Sequence, residues 1–558
     1  MGRPSNTKKG RGAGVSRRDF LRRAGAIPAL VAAQPFLAGA ARADDVSVPP
    51  PGSGSGPFVH GVASGDPLSD RVILWTRVTL AKPKGTPSVS YVVALDTAMQ
   101  QVVATGKVST DAKRDFTVKV DVTGLSPATT YFYQFTYGSV KSPIGRTRTL
   151  PVGSVDRLRI AVVSCASLAH GYFNVYRQIS FRADLDLVVH LGDYIYEFGD
   201  GEYGNLRSYE PASEIVTLND YRTRHNQYKA DRDLMEMHRQ HPVVSIWDDH
   251  EIADNAWKGG AENHNPELGE GAYSDRVKAA IRAYHEWMPI RTIPSDQKRI
   301  YRSFRIGDLV ELFMLEERLI ARDEPGEPNI VSETPLFTQD GEFDDNGRQL
   351  IGATQQNWLV NGLRNSTAQW KLIGQGVMVA PARAGLTPEG KNIYFNPDQW
   401  DGYEPARERL LDAITAGTSP VQNAVILTGD IHSSWASDVC VNPYDGDYDP
   451  GTGEGSVAVE FVGTSVTSPG QSDPDGQVSQ GLRFLNQHIK YVELTKRGYM
   501  LLDIDSTRAS AEWWYTDTIA VRDTGQAFGT AFQTLNGSNR LSPGKRTAMK
   551  PNPPPRAP

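Results

Sequence analysis

The stretch that most constrains the fold of this 558-residue chain runs from residue 158 to residue 197. An apolar strand ends at Ser164-Cys165, a short helix follows, and a second strand ends before Gly192-Asp193-Tyr194-Ile195-Tyr196-Glu197. Two strands joined by a helix indicate a βαβ unit, and open α/β sheets place their chemistry beyond the carboxyl ends of the strands. A thiol, a carboxylate and a phenol stand at these two ends, and each of them can bind a metal as an anion.

Two later strands end in groups of the same kind. Asp249 and His250 follow the next buried strand, and Asp430 and His432 follow a strand much further along the chain. Any one of these strand ends is a weak signal, because an inert buried thiol, a turn or a structural hydrogen bond is the more common explanation. Their recurrence at one topological position of a single α/β domain favours a metal site.

The types of ligand group narrow the choice of metal. A thiolate, a phenolate and a carboxylate from Cys165, Tyr196 and Asp193 carry several negative charges, which suits ferric iron. The oxygen donors of Asp249 and Asp430 favour a hard ion such as calcium or magnesium. Closely paired histidines are scarce in this domain, which argues against an ordinary zinc site. Two adjacent cations clamp a phosphoryl group and activate a bound water, so we expect direct attack on a phosphoester by a metal-bound hydroxide or oxide.

Composition and charge exclude several other classes of protein. A chain of this length with 39% hydrophobic residues can bury a large core and favours two domains. The net charge of −6 gives no indication of general nucleic-acid or membrane-surface binding. Two cysteines, Cys165 and Cys440, do not make a disulfide framework. A disulfide between them stays open as an alternative, and it would remove the thiolate ligand.

The amino terminus predicts a signal peptide. Ser16-Arg17-Arg18-Asp19-Phe20-Leu21 is a twin-arginine pattern, and an alanine-rich apolar run leads from it to Ala41-Arg42-Ala43, a small-residue cleavage site. We expect residues 1–43 to be removed rather than retained as a basic amphipathic helix, and residues 44–57 to form a linker. The twin-arginine translocase would then export the folded protein to the periplasm or the extracellular space.

The remainder of the chain divides into a β-rich part and an α/β part. Residues 58–150 alternate short β-type runs with turns, and residues 124–133 are typical of the turn before a tyrosine-corner strand. We expect a small immunoglobulin- or fibronectin-like β-sandwich there, with carbohydrate binding as a less favoured role. Strands alternating with helices predict an α/β catalytic domain over residues 155–537, and the Pro-rich residues 538–558 indicate a disordered tail.

Several longer strings resemble a known family. They are FVHGVASGDP at 58–67, SCAS at 164–167, GDYIYE at 192–197, SIWDDHE at 245–251 and GDIHSS at 429–434. Their identity and order are similar to those of the PhoD-type alkaline phosphatase/phosphodiesterase family. The resemblance implies a β-sandwich followed by a calcineurin-like metallophosphatase domain of mixed sheets flanked by helices, with Fe3+ and Ca2+ at the site.

The resemblance implies an iron site with four ligands. Gly192 to Tyr196 is similar to the Gly-Asp-x-x-Tyr string of purple acid phosphatases, so Asp193 would bridge two metals and Tyr196 would bind ferric iron. Cys165 falls on the metal-binding cysteine of the family. His432 lies in Gly-Asp-Ile-His, which resembles the Gly-His-x-His string of the superfamily, and is the remaining ligand implied for the first metal.

The second metal and the general acid are implied in the same way. Asp-Asp-His-Glu resembles the Gly-Asn-His-Glu string of the superfamily, so Asp249 would bind the second metal. His250 would contact the phosphate and act as a general acid. Asp430 would complete the second site, for which calcium is the expected ion. Asp193 would bind this ion as well as the iron.

The sequence also departs from the family pattern. Leu315-Glu316-Glu317-Arg318 stands where relatives usually have Leu-Asp-Thr-Arg, which leaves open what replaces the missing aspartate. Arg318 and Asn255 are weaker candidates for binding phosphate, with an arginine paired to acidic residues and a turn-forming asparagine as the simpler interpretations. Gln375 is a weaker candidate still, at a place where the superfamily often supplies a histidine.

These patterns together predict an exported, metal-dependent alkaline phosphatase that releases phosphate from small organic phosphoesters and acts as a monomer. A phosphodiesterase that cleaves phospholipids or a teichoic-acid-like cell-wall polymer is the alternative within enzymes. A secreted binding module with structural metals is the alternative outside enzymes. Nucleic-acid binding is not expected.

Overall fold

The computed structural model describes residues 56–330, 336–417 and 420–558. The predicted signal peptide and most of the predicted linker lie outside these residues. Within the described ranges, no helix has both the length and the apolar character needed to cross a membrane.

Strands make up most of the regular structure. They are β1 (Val62–Gly65), β2 (Arg71–Arg77), β3 (Ser88–Ala94), β4 (Val102–Ser109), β5 (Thr117–Thr123), β6 (Thr130–Tyr137), β7 (Val140–Lys141), β8 (Gly145–Arg148), β9 (Arg157–Val163), β10 (Leu187–Leu191), β11 (Pro242–Ile246), β12 (Arg302–Ile306), β13 (Val310–Met314), β14 (Trp370–Gln375), β15 (Arg383–Leu386), β16 (Asn392–Tyr394), β17 (Ala424–Thr428), β18 (Ser434–Val439), β19 (Ala458–Val462), β20 (Ile489–Glu493), β21 (Gly498–Asp505), β22 (Arg508–Thr516), β23 (Gln526–Leu535) and β24 (Leu541–Pro543). The α-helices are α1 (Asn174–Ser180), α2 (Leu218–Lys229), α3 (Arg232–Gln240), α4 (Tyr273–Trp287), α5 (Gly352–Asn365), α6 (Glu404–Thr415) and α7 (Gln477–Leu485).

Two large mixed sheets pack face to face. The first has the order β24-β23-β22-β21-β9-β10-β11-β1-β2-β5, and the second has the order β12-β13-β14-β17-β19-β18-β20. Strands β9, β10 and β11 are parallel, as are β13, β14, β17 and β19. Ile160 and Val189 of the first sheet share one apolar core with Leu312 and Leu372 of the second. The core between the sheets therefore fixes where the parallel strands end.

Helices cover the outer faces of both sheets. Val188 packs against the layer that contains α1 to α4, whereas its neighbour Val189 packs into the core between the sheets. This alternation explains why β10 is buried throughout, since successive side chains of a strand point to opposite faces. Helices α5 and α6 cover the second sheet through Leu359 and Leu410. The result is a four-layer arrangement of helices, two sheets and helices.

Caps define the two helices that precede β11. Thr217 and Asp220 form a capping box at the start of α2. The Asp231 side chain accepts hydrogen bonds from the backbone N–H groups of Asp233 and Leu234 at the start of α3. These caps explain why α2 begins at Leu218 and α3 at Arg232.

The amino-terminal strands form a sandwich that is not separate from the catalytic sheet. One layer is the sheet β4-β3-β6-β7, to which β8 is added through β6. Its residues Tyr133 and Val93 pack against Val72 of β2 and Val118 of β5. Strand β1, however, pairs in parallel with β11, so β1, β2 and β5 extend the first large sheet. The sequence could not show this, because the pairing strands are far apart in the chain.

The local turn prediction in this part of the chain agrees with the structure. The Tyr131 hydroxyl accepts a hydrogen bond from the backbone N–H of Ser126 at 2.8 Å. This contact ties the turn to the strand that follows it, as a tyrosine corner does.

The carboxyl-terminal segment differs from the expected disordered tail. Strand β24 pairs with β23, and further along the Gln240 side chain exchanges two hydrogen bonds with the backbone of Ala557, at 2.9 and 3.0 Å. Arg556 forms an ion pair with Glu236 at 3.3 Å. A Pro-rich segment has no pattern of its own that signals such contacts, because its partners lie elsewhere in the fold.

Candidate metal centre

The backbone turns sharply where the candidate ligands leave their strands. Cys165, Asp193, Asp430 and His432 have φ values of 59°, 55°, 54° and 58°. Such positive φ values are uncommon for residues other than glycine, and where they occur they are often found at functional sites. Gly192, with φ of 99°, lies so close to Asp248 that a Cβ atom would stand 2.4 Å from the Asp248 Cβ. These turns direct the side chains over the end of the sheet.

The ends of β9, β10, β11 and β17 bring the predicted ligands into three overlapping groups. The groups are Cys165, Asp193 and His432; Asp193, Asp249 and His250; and Asp248, Asp249 and Asp430. Within each group the potential ligand atoms lie within 4.8 Å of one another, and all of these residues are buried. These residues and Tyr196 form the strand-end cluster. Asp193 and Asp249 each belong to two groups, so the cluster can hold neighbouring ions.

Tyr196 lies at the thiol end of the cluster. Its hydroxyl donates a hydrogen bond to Asp193 Oδ2 at 2.8 Å, lies 3.2 Å from His432 Nε2 and accepts a hydrogen bond from Ser468 Oγ at 2.7 Å. Burial, followed by the charges of Asp193 and Cys165, raises the pKa of Tyr196 well above its usual value. A cation bound beside the hydroxyl would lower the pKa of Tyr196 again, and the phenol can act as a phenolate ligand only when such a cation is bound.

The disulfide alternative is wrong. Cys165 and Cys440 are both buried free thiols in the structure. Burial raises the pKa of Cys440 to about 12, so this second cysteine behaves as an inert core residue.

A buried arginine holds the carboxylate end of the cluster. Arg318 forms an ion pair with Asp248, another with Asp398 at 2.9 Å, and lies 3.5 and 3.6 Å from Asp430 and Asp249. Burial raises the pKa of Asp248 well above its usual value. The positive charge of Arg318 lowers this pKa and the negative charge of Asp249 raises it, but burial has the largest effect. Arg318 is therefore neither a surface residue nor open to a ligand, because its guanidinium is taken up by these carboxylates. Asp248, which the sequence analysis did not select, belongs to the cluster.

His250 is held in place by an acidic partner. Its Nδ1 lies 2.7 Å from Glu197 Oε2, and its ring stacks on Tyr196 at 4.2 Å. Its Nε2 lies 4.0 Å from Asp249 Oδ2. Burial lowers the pKa of His250, but the carboxylates of Asp249, Glu197 and Asp193 outweigh burial and raise it well above the usual value. Glu197, which the sequence analysis did not single out, fixes the orientation of this ring.

Glu251 joins two of the ligand loops. Its carboxylate accepts hydrogen bonds from the backbone N–H groups of Asp193 at 3.0 Å, Tyr194 at 2.6 Å and Asp248 at 2.9 Å. Burial, together with the charge of Asp193, raises the pKa of Glu251 to about 8. The string that suggested Asp249 and His250 contains Glu251, but only the fold shows what it holds.

The two glutamates at the departure from the family pattern also bind backbone. Glu316 accepts hydrogen bonds from Trp247 Nε1 at 3.0 Å and from the backbone N–H groups of residues 318–320. Glu317 accepts from the backbone N–H groups of Gly376 and Val377 at 2.8 and 3.2 Å. Gln375 donates to the Val377 carbonyl at 2.7 Å. These side chains support the strand ends, and none of them belongs to the three ligand groups.

Asn255 lies beside the carboxylate end of the cluster. Its backbone N–H donates to Asp249 Oδ2 at 2.8 Å, and its side-chain amide donates to Glu262 at 2.5 Å. Its Oδ1 is buried and has no hydrogen-bond partner in the described part of the chain. Buried acceptors are almost always satisfied, so this atom has the capacity to bind a water molecule, an ion or a ligand.

An arginine that the sequence analysis missed lies near the thiol end. Arg497 packs on Gly470. The carbonyl of the preceding residue, Pro469, lies 3.0 Å from His432 Nδ1. The Arg497 Nη1 donates to the Thr495 carbonyl at 2.5 Å, and its Nε is buried without a hydrogen-bond partner among the residues described. Burial lowers the pKa of Arg497 to about 10. No sequence motif marks it, since it lies in the loop between β20 and β21, far from the ligand strings in the chain.

Comparison with known proteins gives consistent matches over most of the chain. Residues 160–513 match the protein-family model for the PhoD-like phosphatase, and residues 44–151 match the model for the N-terminal domain of the PhoD-like phosphatase. The chain is 36% identical to alkaline phosphatase D of Bacillus subtilis strain 168 over 503 residues, which covers 86% of this chain and 82% of that protein. A solved structure of PhoD matches with a TM-score of 0.79 and 33% identity, covering 89% of this chain and 94% of that one.

Proposed function

This chain belongs to the PhoD-like phosphatase family, and from that premise we propose that the strand-end cluster is a two-metal active site. Family membership establishes the mixed α/β metallophosphatase fold and a phosphoric ester hydrolase activity. The binding-module alternative is therefore wrong. The observation that carries the proposal is the convergence of a thiol, a phenol, imidazoles and carboxylates from four strand ends in one buried cluster.

The donor atoms suit two unlike cations. The thiol, phenol and imidazole of Cys165, Tyr196 and His432 suit ferric iron, and the carboxylate oxygens of Asp249 and Asp430 suit calcium. Asp193 would bind both, and its Oδ1, which is buried without a hydrogen-bond partner in the described ranges, supports this role. When bound, the metals would neutralise phosphoryl charge and activate water for attack.

The protein's own residues supply the proton and the orientation. His250 would hold a proton on Nε2 for the leaving oxygen of the ester, because Nδ1 is engaged by Glu197. Stacking on Tyr196 keeps the ring plane fixed relative to the metal ligands. Arg318 would hold Asp248 and Asp430 in position beside a second cation, rather than binding phosphate. Asn255 would direct its side-chain oxygen toward the calcium or the phosphate.

The geometry favours a small phosphoester as the substrate. His250 is 2% exposed, and Tyr203 stacks over both Tyr196 and His250, so a terminal phosphate reaches the cluster more readily than the middle of a polymer. Export by the twin-arginine translocase, a periplasmic or extracellular location and a monomeric state complete the proposal.

One observation supports the phosphodiesterase alternative. An apolar pocket of about 80 Å³ adjoins the carboxylate end, lined by Met378, Phe395, Ile431 and Trp435. Gln399 also lines this pocket and donates to Asp430 Oδ2 at 2.7 Å, so the pocket lies next to the cluster. Part of an apolar second ester group on the phosphate, as in a phospholipid, would enter this pocket.

Two measurements on the metal-loaded protein test the proposal. We expect p-nitrophenyl phosphate to be hydrolysed faster than bis-p-nitrophenyl phosphate, and a much faster diester rate would favour the alternative. We expect Asp193→Asn to lose iron and calcium together with turnover, because Asp193 is proposed to contact both. A variant with full metal content and a normal rate would contradict the assignment.

A further inference from the structure

A basic crevice of about 480 Å³ lies at the other end of the sheet from the strand-end cluster. Its cations are Arg157, Arg508, Lys545 and Arg546, and we use the name basic crevice for the space they line. Strand β9 begins at Arg157 and ends just before Cys165, and Asp505 of β21 pairs with Arg157 in register. At the rise of a strand, β9 separates the crevice from the cluster by about 20 Å. The proposed catalytic function does not use this space.

The arginines at the base of the crevice share one buried carboxylate. Asp503 lies 2.6 Å from Arg157, 2.9 Å from Arg159 and 3.4 Å from Arg508. Arg159 also forms an ion pair with Asp184, and Arg508 lies 3.7 Å from Asp505. Arg508 Nη1 is nevertheless buried without a hydrogen-bond partner within the described part of the chain, so the base of the crevice has a hydrogen-bond donor that the protein does not use.

The opposite wall adds two cations that lack acidic partners. In the described ranges, no carboxylate lies within ion-pair distance of Lys545 or Arg546. Asp505 is the one acidic residue of the lining, and it lies 3.7 Å from Arg508. Asp503 and Asp505 offset the charges of Arg157 and Arg508, so Lys545 and Arg546 give the recess its net positive charge. Clefts lined by one sign of charge concentrate counter-ions.

Contacts of the carboxyl-terminal segment hold this wall in place. The Arg546 guanidinium lies over the Trp514 ring at 4.8 Å, and the Thr547 backbone N–H donates to Glu512 at 2.6 Å. The Ala548 carbonyl accepts a hydrogen bond from Arg157 at 2.5 Å, which joins the wall to the base. A site whose walls are already fixed loses less entropy when a ligand binds. The wall also lies beyond residue 513, where the match to the family model ends.

We propose that the basic crevice binds an anion that carries two or more phosphate groups, at a site separate from the catalytic centre. Guanidinium forks match phosphate oxygens, and lysine adds a point charge. The volume is that of a ligand pocket, so one phosphate can contact the arginines at the base while another contacts Lys545 and Arg546.

Calorimetric titration of the metal-loaded protein with methylenediphosphonate tests this site, because the P–C–P link resists hydrolysis. We expect two diphosphonate ions per chain, one at the metals and one in the crevice. Lys545→Gln/Arg546→Gln removes exposed charges and no buried pair. It should weaken the second binding event by at least about tenfold while the KM for p-nitrophenyl phosphate stays unchanged.

A charge-matched control separates the crevice from general electrostatics. Lys278→Gln/Lys391→Gln removes two exposed cations elsewhere, and we expect it to keep both binding events. Arg508→Gln, checked for an unchanged melting temperature, should weaken the same second event from the base of the crevice. Methylphosphonate should bind there at least about tenfold more weakly than the diphosphonate. A single binding event in the wild type, equal affinities in wild type and crevice variant, or equal affinities for the two phosphonates would overturn the proposal.

Discussion

Removal of one oxygen atom from Tyr196 gives the sharpest test of the iron site. Tyr196→Phe keeps the buried ring and its stacking on His250, and it removes only the hydroxyl. That hydroxyl contacts Asp193 at 2.8 Å, Ser468 at 2.7 Å and His432 at 3.2 Å. If it is a ferric ligand, phenolate-to-iron charge transfer should colour the wild type, and the colour should vanish in the variant.

The magnitude of the loss follows from the removal of one anionic ligand. A single interaction with a charged group contributes about 1.5–3 kcal/mol, and each 1.4 kcal/mol is a factor of ten in an equilibrium constant. A phenolate bound to ferric iron contributes no less than such an interaction, so we expect iron affinity to fall by at least about tenfold. Cys165, Asp193 and His432 remain, so iron binding should weaken rather than disappear.

The assay combines a visible absorption spectrum with iron analysis of the same sample. Tyr209→Phe is the matched control, because Tyr209 is also buried and its hydroxyl contacts Ser167 at 2.9 Å rather than a proposed ligand. The control should keep both the colour and the iron. A Tyr196→Phe protein with unchanged colour and iron affinity would refute the ligand assignment. A colourless, active and iron-free wild type would instead indicate an all-divalent site.

The other predictions concern the two ends of the cluster. Cys165→Ala should lose iron and turnover, whereas Cys440→Ala should keep both, as metal analysis of the two purified proteins would show. Arg497→Gln should raise the KM for p-nitrophenyl phosphate several-fold at unchanged iron content, because it removes a cation near the thiol end. Lys496→Gln is the control and should leave the KM unchanged. Equal KM values in the two variants would contradict a role for Arg497 in binding the substrate. Arg318→Met should lower the free energy of unfolding of the calcium-free protein by about 3–5 kcal/mol, because it leaves buried carboxylates unpaired. Added calcium should restore part of that loss in denaturant titrations, and no effect of calcium would argue against a cation site at these carboxylates.

The strand ends were predictable because their signals are local. An apolar run followed by a polar residue shows where a buried strand stops, and parallel strands bring their carboxyl ends to one edge of a sheet. Cys165, Asp193 and Asp430 could therefore be placed together from the sequence. The role of Arg318 could not, because a buried arginine and a surface arginine give the same local pattern. The same holds for Arg497, whose neighbours at the site come from distant parts of the chain.

The join between the amino-terminal strands and the catalytic sheet escaped prediction for a related reason. Hydrophobic alternation identifies β1 and β11 as strands, but it does not specify which strand each one pairs with. Their parallel contact spans about one third of the chain and is seen only in the fold. The ordered carboxyl-terminal segment could not be predicted for the same reason. Ala557 is held by hydrogen bonds to Gln240, and nothing in the sequence of the tail indicates this distant partner.

The frame around the cluster explains how its strained ligands persist. Left-handed backbone costs about 1–3 kcal/mol at a residue other than glycine, and four of the proposed ligands adopt it. Glu251 offsets part of this cost because it fixes the backbone of Asp193 and Asp248 from one carboxylate. Glu316 and Glu317 do the same for the neighbouring strand ends at 318 and 376. These acidic residues therefore hold the loops in place through hydrogen bonds within the protein. Glu316, which stands where relatives usually have an aspartate, supports these loops through its backbone contacts and belongs to none of the three ligand groups.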